Sequence, residues 1–433
     1  MKKIIDFTHS LKFLILVSFV TLCFWTLKLE SIGIFIYLGL MMVVFIFSKD
    51  TMPIIPLLFN ALFMVSTLPL SFSDIPLYLY LTPIVLISGM VIHIVKFKVK
   101  FNKGKMLPGI IIMALAMFLS SFNAAELSLN YWFYASIGIV YALIYTFFVN
   151  TFQGDNKKYL LQMMFILGIL ISIQVVIHFV QAEDFVQEMI DKELVLGWGI
   201  SNQIATYLVM FIVITVYFIT TLDRGYLLVP VMVFQSVMLL FTLSRGGIFA
   251  YILILPLLVY LTFKKSDRKL EHLISFLVSA AVLAIIFLIG KNKILPLFDY
   301  FLRTGFDDNL RFMVWNDAWN VFKRHPLFGG GIFAREGPKD YQMYHNTFIH
   351  VLGTMGIVGL IGLLHQLYMQ FKITLGHYKK ENLFLALALL GAHIHGLVDN
   401  VYLMPQFMIL MLVIVAVVEV DLGSSSLTQK TCE

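Results

Sequence analysis

Residues 241–247 read FTLSRGG, between two apolar runs at 226–243 and 247–263. Each run is long enough to cross a bilayer as a helix. One arginine, Arg245, sits where the two meet. A charge in that position has two readings. It is a polar end of a membrane span, or it is a charge that the surrounding helices exist to hold. The rest of the chain bears on the choice.

The 433 residues are 60% hydrophobic and only 13% charged. A soluble domain carries about 25% charged residues, so the class is set at once. In lipid the backbone must satisfy its own hydrogen bonds, which leaves helices or closed barrels. These runs are too long and too continuously apolar for barrel strands. The expected fold is all-α: a polytopic integral membrane protein with about 12–14 transmembrane helices and one large extracytoplasmic loop. Candidate spans fall at 11–27, 31–48, 52–70, 75–96, 107–124, 130–150, 160–180, 204–221, 226–243, 247–263, 273–290, 347–370, 383–399 and 401–420. Residues 1–195 form an N-terminal set of spans. Residues 196–433 hold the polar motifs and the outer loop, 291–346. The start MKKIIDF precedes the first run, and with no small-residue cleavage site after it we expect a retained helix.

Lysine placement orients the stack. Lys96, Lys98, Lys100, Lys103 and Lys105 share one gap, and Lys264, Lys265, Arg268 and Lys269 share another. Lys157 with Lys158, and Lys372 with Lys379 and Lys380, mark two more. All four gaps fall on one side, which the positive-inside trend assigns to the cytoplasm together with both termini. The net charge of +6 is explained by this topology and is not a nucleic-acid signal. Cys23 and Cys432 lie far apart and suggest neither a disulfide framework nor a zinc site.

On this topology Arg245 faces outward, and so does the loop 291–346 with its eight Lys or Arg. A basic loop facing a basic span end points to an anionic ligand. Within the loop Asp307, Asp308 or Asn309 can cap a helix, in which Phe312, Trp315, Trp319 and Phe322 share a face. Such a stripe suits a membrane interface. Arg311 lies one turn before Trp315, and can equally be a solvated arginine on that helix. FGGGIF (328–333) lacks the Gly-Lys-Ser/Thr of a nucleotide-binding loop and reads as a flexible hinge. His345 and Asn346 stand where the chain re-enters the membrane. A histidine there can move a proton near neutral pH or merely hydrogen-bond at the interface. Asn202, at the outer start of another span, can cap its helix or bind a sugar hydroxyl, capping being the simpler role. His395 and Asp399, four apart in the span 383–399, can pair on one face, as part of a site or as glue between helices. No metal-ligand spacing is evident, so no metal and no cofactor are expected.

The ordered set SRGG (244–247), R-x3-W (311–315), HPLFGGG (325–331) and YHN (344–346) resembles the O-antigen ligase and polysaccharide polymerase family, over roughly residues 195–400. The resemblance implies a metal-independent, lipid-dependent glycosyltransferase fold of the GT-C-like kind. It implies an undecaprenyl-pyrophosphate-linked oligosaccharide as donor and an acceptor glycan whose hydroxyl attacks it. By the same resemblance Arg245 and Arg311 hold the pyrophosphate and His345 is the base. Asn346, Asn202, Trp315, His395 and Asp399 are candidate substrate-binding residues. Guanidinium groups suit such a leaving group independently, because its charge grows as the glycosidic bond breaks. Membrane lipid, and other polysaccharide export or chain-length proteins, are the expected partners, with no nucleic acid. The Ile-, Lys- and Phe-rich composition suggests an AT-rich genome and favours a polymerase of a capsule or exopolysaccharide over a ligase acting on lipid A core. A flippase or transporter is the alternative of a different class.

Overall fold

The computed structural model describes every residue except 1, 67–75, 125–126, 128, 266–267, 306–310, 333–343, 377–378, 403 and 431–433. The cap reading at Asp307, Asp308 and Asn309 lies outside the described residues. The first part of the chain holds α1 (Lys2–Thr8), α2 (Leu11–Thr26), α3 (Glu30–Phe47), α4 (Ile54–Leu62), α5 (Leu77–Phe97), α6 (Leu107–Leu119), α7 (Leu129–Thr151) and α8 (Lys157–Gln181). A short α9 (Phe185–Asp191) and a small antiparallel hairpin, β1 (Val195–Leu196) and β2 (Gly199–Ile200), follow. Then come α10 (Ser201–Thr221), α11 (Val229–Phe241), α12 (Arg245–Lys265) and α13 (Lys269–Gly305). The chain closes with α14 (Arg311–Arg324), α15 (Thr347–Leu375), α16 (Lys380–His395) and α17 (Pro405–Lys430).

The protein is an all-α polytopic membrane protein. Among the described residues nine helices are long and apolar enough to cross a bilayer, and three shorter apolar helices accompany them. The span in α10 is 94% buried and packs against α8, α11, α12 and α16, so it forms the axis of the bundle. The span in α13 is 6% buried and lies at the periphery.

Three of the four lysine-rich gaps meet at one end. Lys157 Nζ lies 2.6 Å and Lys379 Nζ 3.0 Å from Asp421 Oδ2. Beside them Lys105 N–H donates to Glu419 Oε1 at 2.8 Å. Lys380 Nζ donates to the Thr220 carbonyl at the same end of α10.

Three expected boundaries move. Among its described residues the run 52–70 yields the nine-residue α4, because Pro53 and Pro56 start a helix that ends at Leu62. At 1.5 Å per residue it is too short to cross the bilayer. The loop expected from 291 begins as helix: α13 continues to Gly305, with Pro296 inside it. The span expected at 383–399 stops at His395, where Gly396 caps it. Asp399 therefore lies beyond the helix, in the turn where its N–H still donates to the His395 carbonyl at 3.0 Å.

The glycine stretch is not a hinge. α15 breaks at Gly356, whose φ of 64° and ψ of −160° interrupt the helical ladder. The amides and carbonyls freed there need partners. Gly330 and Gly331 donate to the Gly353 and Thr354 carbonyls at 3.0 and 3.1 Å. Ile357 and Val358 donate to the Pro326 and Leu327 carbonyls at 2.9 and 3.2 Å. Backbones this close leave no room for side chains: a Cβ on Gly329 would come within 2.3 Å of Thr354 C. The glycines are where they are to let 326–331 mend the broken helix.

Candidate functional site

The SRGG stretch makes one end of the site. Ser244 Oγ accepts from the Gly247 N–H at 3.3 Å and caps α12, so Arg245 opens that helix. The glycines admit close neighbours. A Cβ on Gly246 would lie 2.7 Å from His395 Cδ2, and one on Gly247 would lie 2.6 Å from Ala205 Cβ in α10. His395 is buried at the end of α16. Its Nδ1 meets Thr206 Oγ1 at 2.8 Å, and its Nε2 lies 3.5 Å from Ser244 Oγ. His395 thus joins α10, α12 and α16 beneath the arginine.

The YHN stretch makes the opposite wall. Asn346 caps α15, its Oδ1 accepting from Phe348 and Ile349 N–H at 2.9 and 3.0 Å. Its Nδ2 donates to the Leu397 carbonyl at 2.7 Å. Thr347 N–H donates to the Gly396 carbonyl at 2.8 Å. Residues 345–347 are therefore stitched to the loop after α16. That stitching brings His345 Nδ1 to 3.4 Å from Asp399 Oδ1. The His345 side chain is 35% exposed while that of Asp399 is 8% exposed, so the imidazole is open to a ligand and the carboxylate is not. His345 holds a φ of 45°, a left-handed conformation that costs a non-glycine residue energy. Its neighbours hold it there.

The outer helix α14 completes the enclosure. Its buried face is Val314, Ala318 and Val321, with Val314 and Ala318 against Tyr344, while Phe312 and Trp319 are exposed. Trp315 Nε1 donates to the Tyr344 carbonyl at 2.9 Å. Asn346 and Trp315 therefore spend polar groups on shaping the wall around His345.

Electrostatics binds these pieces into one cluster. Burial lowers the pKa of Arg311; Asp399 opposes the shift and Arg245 adds to it. Lys192, which follows α9 in the left-handed region at φ 58°, joins them. Burial and then Arg245 push its pKa down, Asp399 opposes this, and Arg311 adds to it. For Asp399, burial works upward. The His345 contact, the charges of His395 and His345, and the Asn400 N–H outweigh it and hold the carboxyl below its ordinary range. Arg311 and Lys192 thus both feel the Asp399 carboxylate, and each holds its charge at a cost beside Arg245. An anion would relieve that repulsion. Among the described residues no three His, Cys, Asp or Glu side chains gather to hold a metal ion.

Two readings of single residues change. Asn202 does not cap α10; the Gln203 side chain does, accepting from the Ile200 N–H at 2.7 Å. Asn202 is half-buried in the first turn. Asp399 meets His345 across two segments while also feeling the charge of His395, the residue four before it. Lys192 and Thr206 join the site without a motif to mark them. The signal for Lys192 was a charge just ahead of LGWG at a span entrance, and for Thr206 a hydroxyl one helical turn after Asn202.

Residues 230–364 match the family model described as O-antigen ligase. Comparison with curated proteins gives no match. The matched segment contains Arg245, Arg311, Trp315, His345 and Asn346, while Lys192, His395 and Asp399 come from outside it and close the same cluster. The chain is a multi-pass membrane protein whose residues 230–364 are similar to the O-antigen ligase family.

Proposed function

We propose that this protein is a membrane glycosyltransferase that moves a glycan from undecaprenyl pyrophosphate to an acceptor sugar hydroxyl on the outer face of the cell membrane. The observation that carries the reading is the His345–Asp399 contact at 3.4 Å beside the Arg311 charge, which in turn faces that of Arg245. A carboxylate behind one imidazole nitrogen fixes the tautomer and leaves the other nitrogen basic. That nitrogen takes the proton from the acceptor hydroxyl as its oxygen attacks the anomeric carbon. The bond from that carbon to the pyrophosphate oxygen breaks, and its electron pair leaves with the lipid carrier. Arg245 and Arg311, with Lys192, meet the negative charge that grows there. A single displacement inverts the anomeric carbon. The imidazolium then gives up its proton to water or to the departing phosphate.

Arg245 is thus assigned to the leaving group, the second reading of FTLSRGG. Lengthening a lipid-linked surface polysaccharide is the favoured task, and transfer to lipid A core or carriage of the lipid-linked glycan across the membrane are the alternatives. The test uses purified protein with an undecaprenyl-pyrophosphate-linked repeat unit and no nucleotide sugar. A ladder of longer glycans with the wild type, absent with Arg245→Ala, supports polymerisation. Movement of intact substrate across vesicles without a ladder makes the protein a carrier. Transfer only to a separate acceptor makes it a ligase.

A further inference from the structure

At the end of the bundle away from His345 lies a groove of about 440 Å³, bounded by Lys105, Met369, Lys372, Ile373, Gly376 and Leu422. It opens where the segment before α6 meets the last turns of α15 and the membrane-spanning part of α17. We propose that this groove holds one anionic phospholipid of the inner leaflet, its phosphate between the Lys105 and Lys372 ammonium groups and an acyl chain along α15.

Charge complementarity argues for that occupant. Both lysines are exposed, and neither pairs with a carboxylate among the described residues. The neighbouring acid, Glu419, accepts from the Lys105 main-chain N–H and the Tyr145 hydroxyl. Asp421 is taken by Lys157 and Lys379. Two cations thus remain at the mouth of an apolar groove. Lys372 Nζ rests 5.2 Å from the centre of the Tyr368 ring, a contact that leaves ammonium donors for a phosphate.

The same helix also offers a track for the chain. Beyond the break at Gly356, Ile357, Ile361, Leu364 and Tyr368 repeat at spacings of three and four on α15, and all four are exposed. That spacing keeps them on one helical face. The stripe reaches Lys372, the next position in the same series. An exposed apolar stripe that ends in a cation at a helix terminus fits a lipid with one anionic group and a long tail. Basic pockets between helices at this side of a membrane bind such headgroups.

The test measures retained lipid by native mass spectrometry of the full-length protein, offered dioleoyl phosphatidylglycerol or dioleoyl phosphatidylcholine. One phosphatidylglycerol should survive collisional activation that strips phosphatidylcholine. Lys105→Gln with Lys372→Gln should lower that retention about thirtyfold, from the loss of two near-surface cations. Lys105→Arg with Lys372→Arg should keep it, and so should Lys98→Gln with Lys100→Gln, which removes two lysines from the same end. Equal retention of both lipids overturns the proposal. Undiminished phosphatidylglycerol in the Lys105/Lys372 glutamine variant overturns it too, as does an equal loss in the Lys98/Lys100 variant.

Discussion

Trp315 donates its indole N–H to the main-chain carbonyl of Tyr344, and so ties the outer helix to the residue just before His345. The helix cannot shift without moving the imidazole's backbone. Trp315→Phe keeps most of the packing and loses the tether. We expect turnover to fall about five- to tenfold, the worth of one such hydrogen bond, with the Michaelis constant for the lipid-linked donor little changed. Initial rates across donor concentrations check this. An unchanged turnover with a raised Michaelis constant would instead put Trp315 on the sugar.

Asp399→Asn removes the carboxylate from behind His345. The expected loss in turnover is about a hundredfold or more, with the protein still in the membrane at normal level. The pH dependence follows from the depressed carboxyl. A carboxylate whose folded pKa is lowered stabilises the fold fully above its unfolded value, about 4, and loses that contribution as pH falls through the folded value. Asp399 therefore stays ionised throughout the neutral and mildly acid range, and the acid limb of activity has another origin. Thermal melts should lose a stabilising contribution only below about pH 4 in the wild type, and that step should be absent from Asp399→Asn.

Arg245→Ala and Arg311→Ala should each abolish polymer. Lys192→Gln should be milder, raising the donor's Michaelis constant about tenfold through one lost charge-assisted contact, with Lys192→Arg close to wild type. Titrating the donor against each variant distinguishes them. Normal product length with either arginine removed would end the pyrophosphate assignment.

Gly356→Ala tests the mended helix. The new Cβ would stand 2.5 Å from the Leu327 carbonyl, at a φ of 64°. A loss of about 2–4 kcal/mol in stability is expected from strain and collision together. It should show as a lower melting temperature even with no substrate present. A variant as stable as the wild type would mean that the break tolerates a side chain.

The parts of the site that were legible in the sequence are those carried by local order. SRGG, R-x3-W and YHN each place a charged or titratable side chain at a helix end, and helix ends announce themselves by capping residues and by the limits of apolar runs. What stayed hidden depends on partners far away in the chain. The run 383–399 is apolar enough to pass for one helix, yet Gly396 ends it. The resulting loop carries Asp399 to His345. Residues 328–331 look loose because three glycines relax the backbone, and the carbonyls that hold them belong to Gly353 and Thr354. Lys192 sits in a segment of ordinary composition, and only the turn after α9 brings it to the arginines. Apolar periodicity found the bundle. It had no means of finding a contact made by backbone alone.

The break in α15 has a consequence for how such a chain can change over time. A continuous helix transmits any rotation from one end to the other. Here residues 347–355 take their setting from the stitched outer loop, and residues after 356 take theirs from α6, where Gln366 donates to the Gly109 carbonyl and Gly362 lies against Met113. Change around the sugar and change in the bundle contacts can therefore be selected in separate stretches of one helix, with residues 326–331 as the splice that both must respect.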